Sequence, residues 1–383
     1  MRVHSAFAAL GWAALLASVS LAPAFAASDD RKLDAEIDRL RDAGKIPGVA
    51  MALVENGKLV YVTARGVRNA KGDPLTPDTV MYAASVTKAT FAYYVMMLVD
   101  EGKLDLDKPI ATYLPKPLPD YKAYADLAND PRWREITPRM LMTHSAGFPN
   151  FRWLNPDEKL DIKFQPGSRY AYAGEGINLM QFVIEQGLGL NVGEEMNRRL
   201  FQPLGMTRSS MIWRDDFAGN LADGQDENGK WEPHDDRSSV KAAGSLDTTI
   251  GDMGKLAAAM ASGWGLSAKA RAEFAKPSLP IKSAHEFPTL TTEENPDNAK
   301  IGLAAGIGVV VFDGPQGPSF LKGGHNEITD NMLVCVGKGR RCVVILTNSG
   351  VGQRVIPALV KAALGETGAP WSWEYSRLPA LTP

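Results

Sequence analysis

Strand-forming sequence stands at both ends of this 383-residue chain and is scarce between them. Near the start, residues 49–54 and 58–62 flank Glu55-Asn56-Gly57, and Asn-Gly between two apolar runs predicts a hairpin. Near the end, residues 306–312, 331–336 and 342–347 carry the same strand character. From about Leu104 to Leu290 the apolar residues recur instead at helical spacing, in 138–143, 176–186, 192–201 and 248–260, between proline-rich loops. The strands need partners, and those partners lie at the opposite end of the chain. The expected fold class is therefore α+β: one antiparallel sheet flanked by helices, with an inserted, mostly helical lobe. The sheet lobe is expected over about 27–104 and 300–383 and the helical lobe over about 105–299, both within a single domain. The cleft between lobes is where chemistry is expected.

The first residues carry an export pattern. Arg2 precedes a largely apolar, uncharged stretch from Ala6 to Leu21, and Ala24-Phe25-Ala26 has the small-x-small spacing of a cleavage site. A signal peptide over 1–26, cut after Ala26, is the expectation, with a membrane anchor as the competing one. A periplasmic or secreted location follows, with no stable membrane anchor after cleavage. Helical spacing over 30–45 opens the mature chain, and 353–364 predicts a closing helix. The formal net charge of −2 comes from well-mixed residues without a basic run, which argues against a nucleic-acid partner.

The two cysteines, Cys335 and Cys342, flank Val-Gly-Lys-Gly-Arg-Arg. With Lys338-Gly339 as the turn they face each other across a hairpin, so a disulfide is possible in an exported protein. Two buried thiols are the alternative. The five histidines show no metal-ligand spacing, and no nucleotide-binding fingerprint occurs; no metal and no cofactor are expected.

Ser85-Val86-Thr87-Lys88 opens a helical pattern that runs to about Glu101, stopped by Gly102. Residues three apart share a helix face, so the Lys88 amine can reach the Ser85 hydroxyl. The start of a helix disfavours a cation, and a neutral amine can accept the serine proton. A capping serine beside a surface lysine is the plainer alternative. No G-x-S-x-G elbow is present.

Ala84-Ser85-Val86-Thr87-Lys88, with 98–107 downstream (Leu-Val-Asp-Glu-Gly-Lys-Leu-Asp-Leu-Asp), closely resembles the serine β-lactamase-related superfamily of class C β-lactamases, D,D-peptidases, D-aminopeptidases and carboxylesterases. The resemblance implies a β-lactamase/transpeptidase-like fold, acylation of Ser85 and activation by Lys88. It sets Tyr172 at the tyrosine of the family's Y-x-N triplet as a proton-transfer group, with Tyr170 as the runner-up expected in the core. The family's Asn, which helps hold a substrate amide, is here Gly174, and Asn178 lies one turn on. Lys322-Gly323-Gly324 resembles the family's K-[S/T]-G strand motif, with Gly323 where a hydroxyl is common. It implies that Lys322 and Gly324 line the substrate site and that the backbone N–H groups of Ser85 and His325 form the oxyanion hole. His144 in Thr143-His144-Ser145-Ala146-Gly147, and Ala243-Gly244-Ser245-Leu246, match family segments as architecture.

Two function classes follow. One is a serine hydrolase acting through an acyl-enzyme on an ester or amide: a small-molecule ester, a β-lactam or a cell-wall-derived D-amino-acid peptide. The other is an acyl-accepting binding or sensing protein without turnover. Trp153 and Trp213 could line the cleft or simply pack.

Overall fold

The computed structural model describes residues 26–375; the expected signal peptide lies almost wholly outside them. Helix α1 (Ala26–Gly44) leads into strands β1 (Gly48–Glu55) and β2 (Lys58–Gly66). Asn56 and Gly57 both take positive φ, 52° and 73°, as the two central residues of the predicted tight hairpin require. The remaining strands of the main sheet come late: β3 (Leu279–Pro280), β4 (Ala304–Ala305), β5 (Val310–Gly314), β6 (Gly317–His325), β7 (Asp330–Val336) and β8 (Arg341–Thr347). The sheet has eight strands in the order β2-β1-β8-β7-β6-β5-β4-β3, every described pairing antiparallel. The two ends of the chain meet where Val49 pairs with Thr347 and Val54 with Cys342.

Both faces of the sheet are buried. Along β1, Ala50, Ala52 and Val54 enter one apolar cluster, and Val49 and Met51 enter the other. Along β8, Cys342, Val344 and Leu346 alternate in the same way with Val343 and Ile345. The period of two therefore sorts apolar residues between two cores rather than between core and water. Helix α1 and the closing helix cover one face. The other face carries α4 (Ile250–Ser262), which packs on β1, β2 and β8, and α2 (Val86–Asp100), which packs on β6, β7 and α5 (Ala268–Phe274). Helix α2 is buried continuously from Val86 to Leu98, as befits a helix apolar all round. Helix α3 (Gly174–Gly187) belongs to the helical lobe.

The structure departs from the expectations in five places. Residues 306–309 are a turn, not strand: Gly306 N–H donates to the Val309 carbonyl, and Gly308, at φ 69°, lies against α2. A Cβ on Gly308 would sit 2.4 Å from Ala92 Cβ, so the chain bends there to let the helix in. Strand β6 begins five residues before the Lys-Gly-Gly motif and ends one residue after it. The helix expected over 192–201 is α-helical only over Val192–Met196 and then widens to a π-helical turn. The closing helix, α6 (Ile356–Leu364), begins later than residue 353. Finally, α4 lies within 105–299 but packs on the sheet, so the helical insertion contributes a layer to the sheet lobe.

Cys335 and Cys342 are paired in register between β7 and β8 and are joined by a disulfide. No helix among the described residues is long and apolar enough to cross a membrane.

Candidate active site

Ser85 is the N-cap of α2. Its neighbour Ala84 is held at φ 46°, a region that costs a non-glycine residue energy and is found where structure over-determines a position. Met81 and Tyr82, just before it, pair with Thr248 and Asp247, which anchors the approach to the helix. Among the described residues the Ser85 N–H has no protein acceptor, and Gly324 of β6 lies directly against it. A Cβ on Gly324 would stand 2.7 Å from the Ala83 carbonyl oxygen and 2.9 Å from Ser85 N. Only glycine lets the strand approach this closely.

Lys88 is 1% exposed. Its Nζ lies 2.9 Å from Ser85 Oγ and donates to the Ala243 carbonyl at 2.6 Å. Burial pushes its pKa well below the usual lysine value, and the charge of Lys322 adds to that, against a smaller opposing pull from Glu286. A neutral amine here can donate to Ala243 and keep its lone pair for the serine proton. Ala243, expected to be architectural, thus positions the amine directly.

Tyr172 is buried beside these groups, its ring centre 4.9 Å from the amines of both Lys88 and Lys322. Burial and then the charge of Glu286 hold the phenol well above its ordinary pKa, against a smaller lowering by the Ser85 side chain. Tyr172 therefore stays protonated and is suited to relaying a proton. Tyr170 is buried as expected, its hydroxyl donating to Glu286 Oε1 at 2.9 Å. His144, at φ 55°, accepts from the Ala173 N–H at 3.2 Å, and its ring centre lies 4.5 Å from that of Tyr172 with the planes tilted by 38°. Burial, then the two lysines, keep it well below the usual histidine pKa, consistent with a neutral positioning role.

Lys322 is buried, and its Nζ donates to the Gly323 carbonyl at 2.6 Å. His325, at the end of β6, is held by Asp330 through Nδ1 at 3.3 Å. Partial burial would lower its pKa, but the hydrogen bond and charge of Asp330 raise it above the ordinary value. Behind it lie two buried carboxylates that the linear sequence did not flag. Glu374 has neither oxygen hydrogen-bonded, and its pKa is raised to about 7 by burial and by Glu286. A Cβ on Gly323 would fall 1.9 Å from Glu374 Oε1, so the carboxyl occupies the space that a hydroxyl-bearing side chain would need. Glu286, His325 and Glu374 bring ligand-type atoms within 4.8 Å of one another, a grouping that no motif spacing announced.

A cleft of about 590 Å³ opens over Ser85, lined also by Tyr82, Tyr124, Phe151, Trp153 and His325. Lys88, Tyr172 and Lys322 lie beneath it. Ser85 is the group that meets both the cleft and the buried amine. Trp153 lines this cleft, whereas Trp213 stacks its edge on Phe217 elsewhere. Asn178 also borders the cleft, its Oδ1 accepting from the Ala243 N–H at 3.2 Å.

A family model described as beta-lactamase matches residues 33–364. The lovastatin esterase of Penicillium rubens is 30% identical over 224 residues, covering 50% of this chain and 56% of that protein. Esterase EstB of Burkholderia gladioli is 28% identical over 231 residues, 53% of this chain and 57% of that one. The match thus spans little more than half the length of these relatives. Among solved structures, the octameric penicillin-binding protein homologue from Pyrococcus abyssi superposes with a TM-score of 0.70 at 21% identity, over 88% of this chain and 78% of that one. The D-alanine carboxypeptidase AmpC from Burkholderia cenocepacia gives 0.69 at 20% identity, over 88% and 98%. At these identities the structures speak for the fold, a β-lactamase/transpeptidase-like one. The family match itself runs from α1 through α6 and takes in Ser85, Lys88, Tyr172 and Lys322: this chain belongs to the beta-lactamase family.

Proposed function

We propose that this protein is a serine hydrolase working through an acyl-enzyme on Ser85, with esters as its preferred substrates. The observation that carries the proposal is the 2.9 Å contact between the Ser85 hydroxyl and a lysine amine excluded from water. In the first half-reaction Ser85 Oγ attacks the substrate carbonyl carbon and its proton passes to Lys88. The tetrahedral oxyanion is stabilised by the Ser85 and His325 N–H groups. Collapse expels the alcohol, which takes its proton through Tyr172. Water then attacks the acyl-enzyme by the same route and releases the acid.

Preference for an ester rests on what position 174 lacks. Glycine there offers no side-chain amide to hold the acylamino group of a β-lactam or peptide. The two relatives described above, both named as esterases, support this direction. Residues 1–26 are included in the proposal as an export signal, so that the mature enzyme works in the periplasm or outside the cell on small-molecule or cell-wall-derived substrates.

The test is a comparison of turnover on a chromogenic short-chain ester and on a chromogenic cephalosporin. Multiple turnover of the ester, lost in Ser85→Ala, supports the proposal. Stoichiometric acylation without product release would replace it with a binding or sensing role, and faster cephalosporin turnover would replace the ester preference.

A further inference from the structure

The absence of a side chain at residue 174 has a partner in space. A Cβ on Gly174 would lie 2.4 Å from Phe151 Cε1 and 2.6 Å from Cζ, closer than any real Cβ contact. Phe151 and Gly174 therefore form one device: with the ring in place no side chain fits, and the ring fills the place of one. The ring is not loosely placed. Asn150 Oδ1 accepts from the Gly174 N–H at 3.0 Å, and the Asn150 carbonyl accepts from the Glu175 N–H at 2.9 Å. One residue on, Arg152 donates to both oxygens of the buried Glu175, at 3.0 and 2.9 Å. The loop is thus stitched to the start of α3 on both sides of Phe151.

Phe151 in turn stacks on Trp153, ring centres 4.2 Å apart and planes within 7°. Both rings line the cleft that holds Ser85, with Tyr124 and Phe182 also in its wall. Trp153 is 60% exposed. A flat aromatic surface, rigidly backed and open to the cleft, binds other flat apolar groups by stacking and by release of water.

We propose that Phe151 and Trp153 form an acyl-group subsite that takes an aryl or similarly flat apolar acyl chain. This rests on the hydrolase reading and gives it a substrate class: esters of arylalkanoic acids. The acyl side is assigned because the plate replaces the side chain expected to hold the acylamino group. The two ring faces offer a polar acyl amide no hydrogen bond, whereas an aryl group stacks on them.

The experiment keeps the leaving group constant and varies the acid: p-nitrophenyl acetate against p-nitrophenyl 3-phenylpropanoate, with kcat/KM measured for each. The wild type is expected to favour the aryl ester by about tenfold or more, as one filled apolar subsite permits. In Trp153→Ala, a substitution at an exposed residue, that ratio is expected to fall severalfold, chiefly through KM of the aryl ester. Phe151→Ala should lower it further, with thermal melting confirming a folded protein. A ratio near one in the wild type, or an unchanged ratio in Trp153→Ala, overturns the subsite while leaving the hydrolase reading intact. A preference that follows the alcohol when benzyl and methyl esters of one acid are compared overturns the assignment to the acyl side. Absence of Ser85-dependent turnover on every ester removes the hydrolase reading and the subsite with it.

Discussion

Lys88 is a lysine with almost no water and with a second buried lysine for a neighbour. Sequence spacing places its amine near Ser85 and attributes its lost charge to the helix start. The larger causes are burial and Lys322, and neither is visible locally, because one depends on packing and the other lies more than two hundred residues away in sequence. A protonated amine cannot accept the Ser85 proton, so activity should fall as pH drops through the depressed Lys88 pKa and be retained above it. Lys88→Ala should lower kcat/KM by at least about 10³-fold and abolish that acid limb, measured as a pH–rate profile on a chromogenic ester. Tyr172→Phe removes a relaying hydroxyl without changing shape. It should lower kcat by about 10²-fold with a nearly unchanged melting temperature. Glu374 makes a separate prediction about stability. Its folded pKa of about 7 lies above the ordinary 4.5, so the folded state holds a proton that the unfolded chain releases. That contribution is fully present below pH 4.5 and is lost as pH rises through 7. In Glu374→Gln this part of the decline should vanish, as followed by urea midpoints across that range.

At the scale of elements, the site is the meeting of the α2 N-terminus with strand β6. Gly324→Ala would drive a methyl group into Ala83 O and the Ser85 N–H. It should lower kcat by about 10²-fold or more through loss of an oxyanion donor, while circular dichroism stays native. The β7–β8 hairpin carries the disulfide across a sequence separation of 7. Replacing Cys335 and Cys342 by Ala should cost about 2 kcal/mol of stability, measured by denaturant unfolding, with catalysis retained in the folded fraction. Local chemistry made some elements legible. The Asn56-Gly57 turn, the cysteine hairpin and α2 each carry their own signals. Strand β6 was legible only at its Lys-Gly-Gly motif, because Gly317, Pro318 and two further glycines suppress strand character. Its place is fixed instead by the ladders to β5 and β7. Phe151, Glu286 and Glu374 were illegible for a related reason: each matters through a neighbour distant in sequence, and two of those neighbours are glycines that say nothing of what fills their space.

At the scale of the molecule, strand composition at both ends was enough to expect one sheet closed by distant partners. The β1–β8 pairing is that closure. The placement of α4 on the sheet was not legible, since an amphipathic helix does not name the surface it covers. The consequence for function is that the proposed machinery is assembled from α2, the Tyr172 loop, the Ala243 turn and β6, drawn from the whole length of the chain. The most direct test of the central claim is covalent labelling with a fluorophosphonate, followed by peptide mass spectrometry. The account predicts one adduct per chain, on Ser85, formed far more slowly in Lys88→Ala and not at all in Ser85→Ala. Labelling that persists in Ser85→Ala, or that proceeds at the wild-type rate in Lys88→Ala, would contradict it.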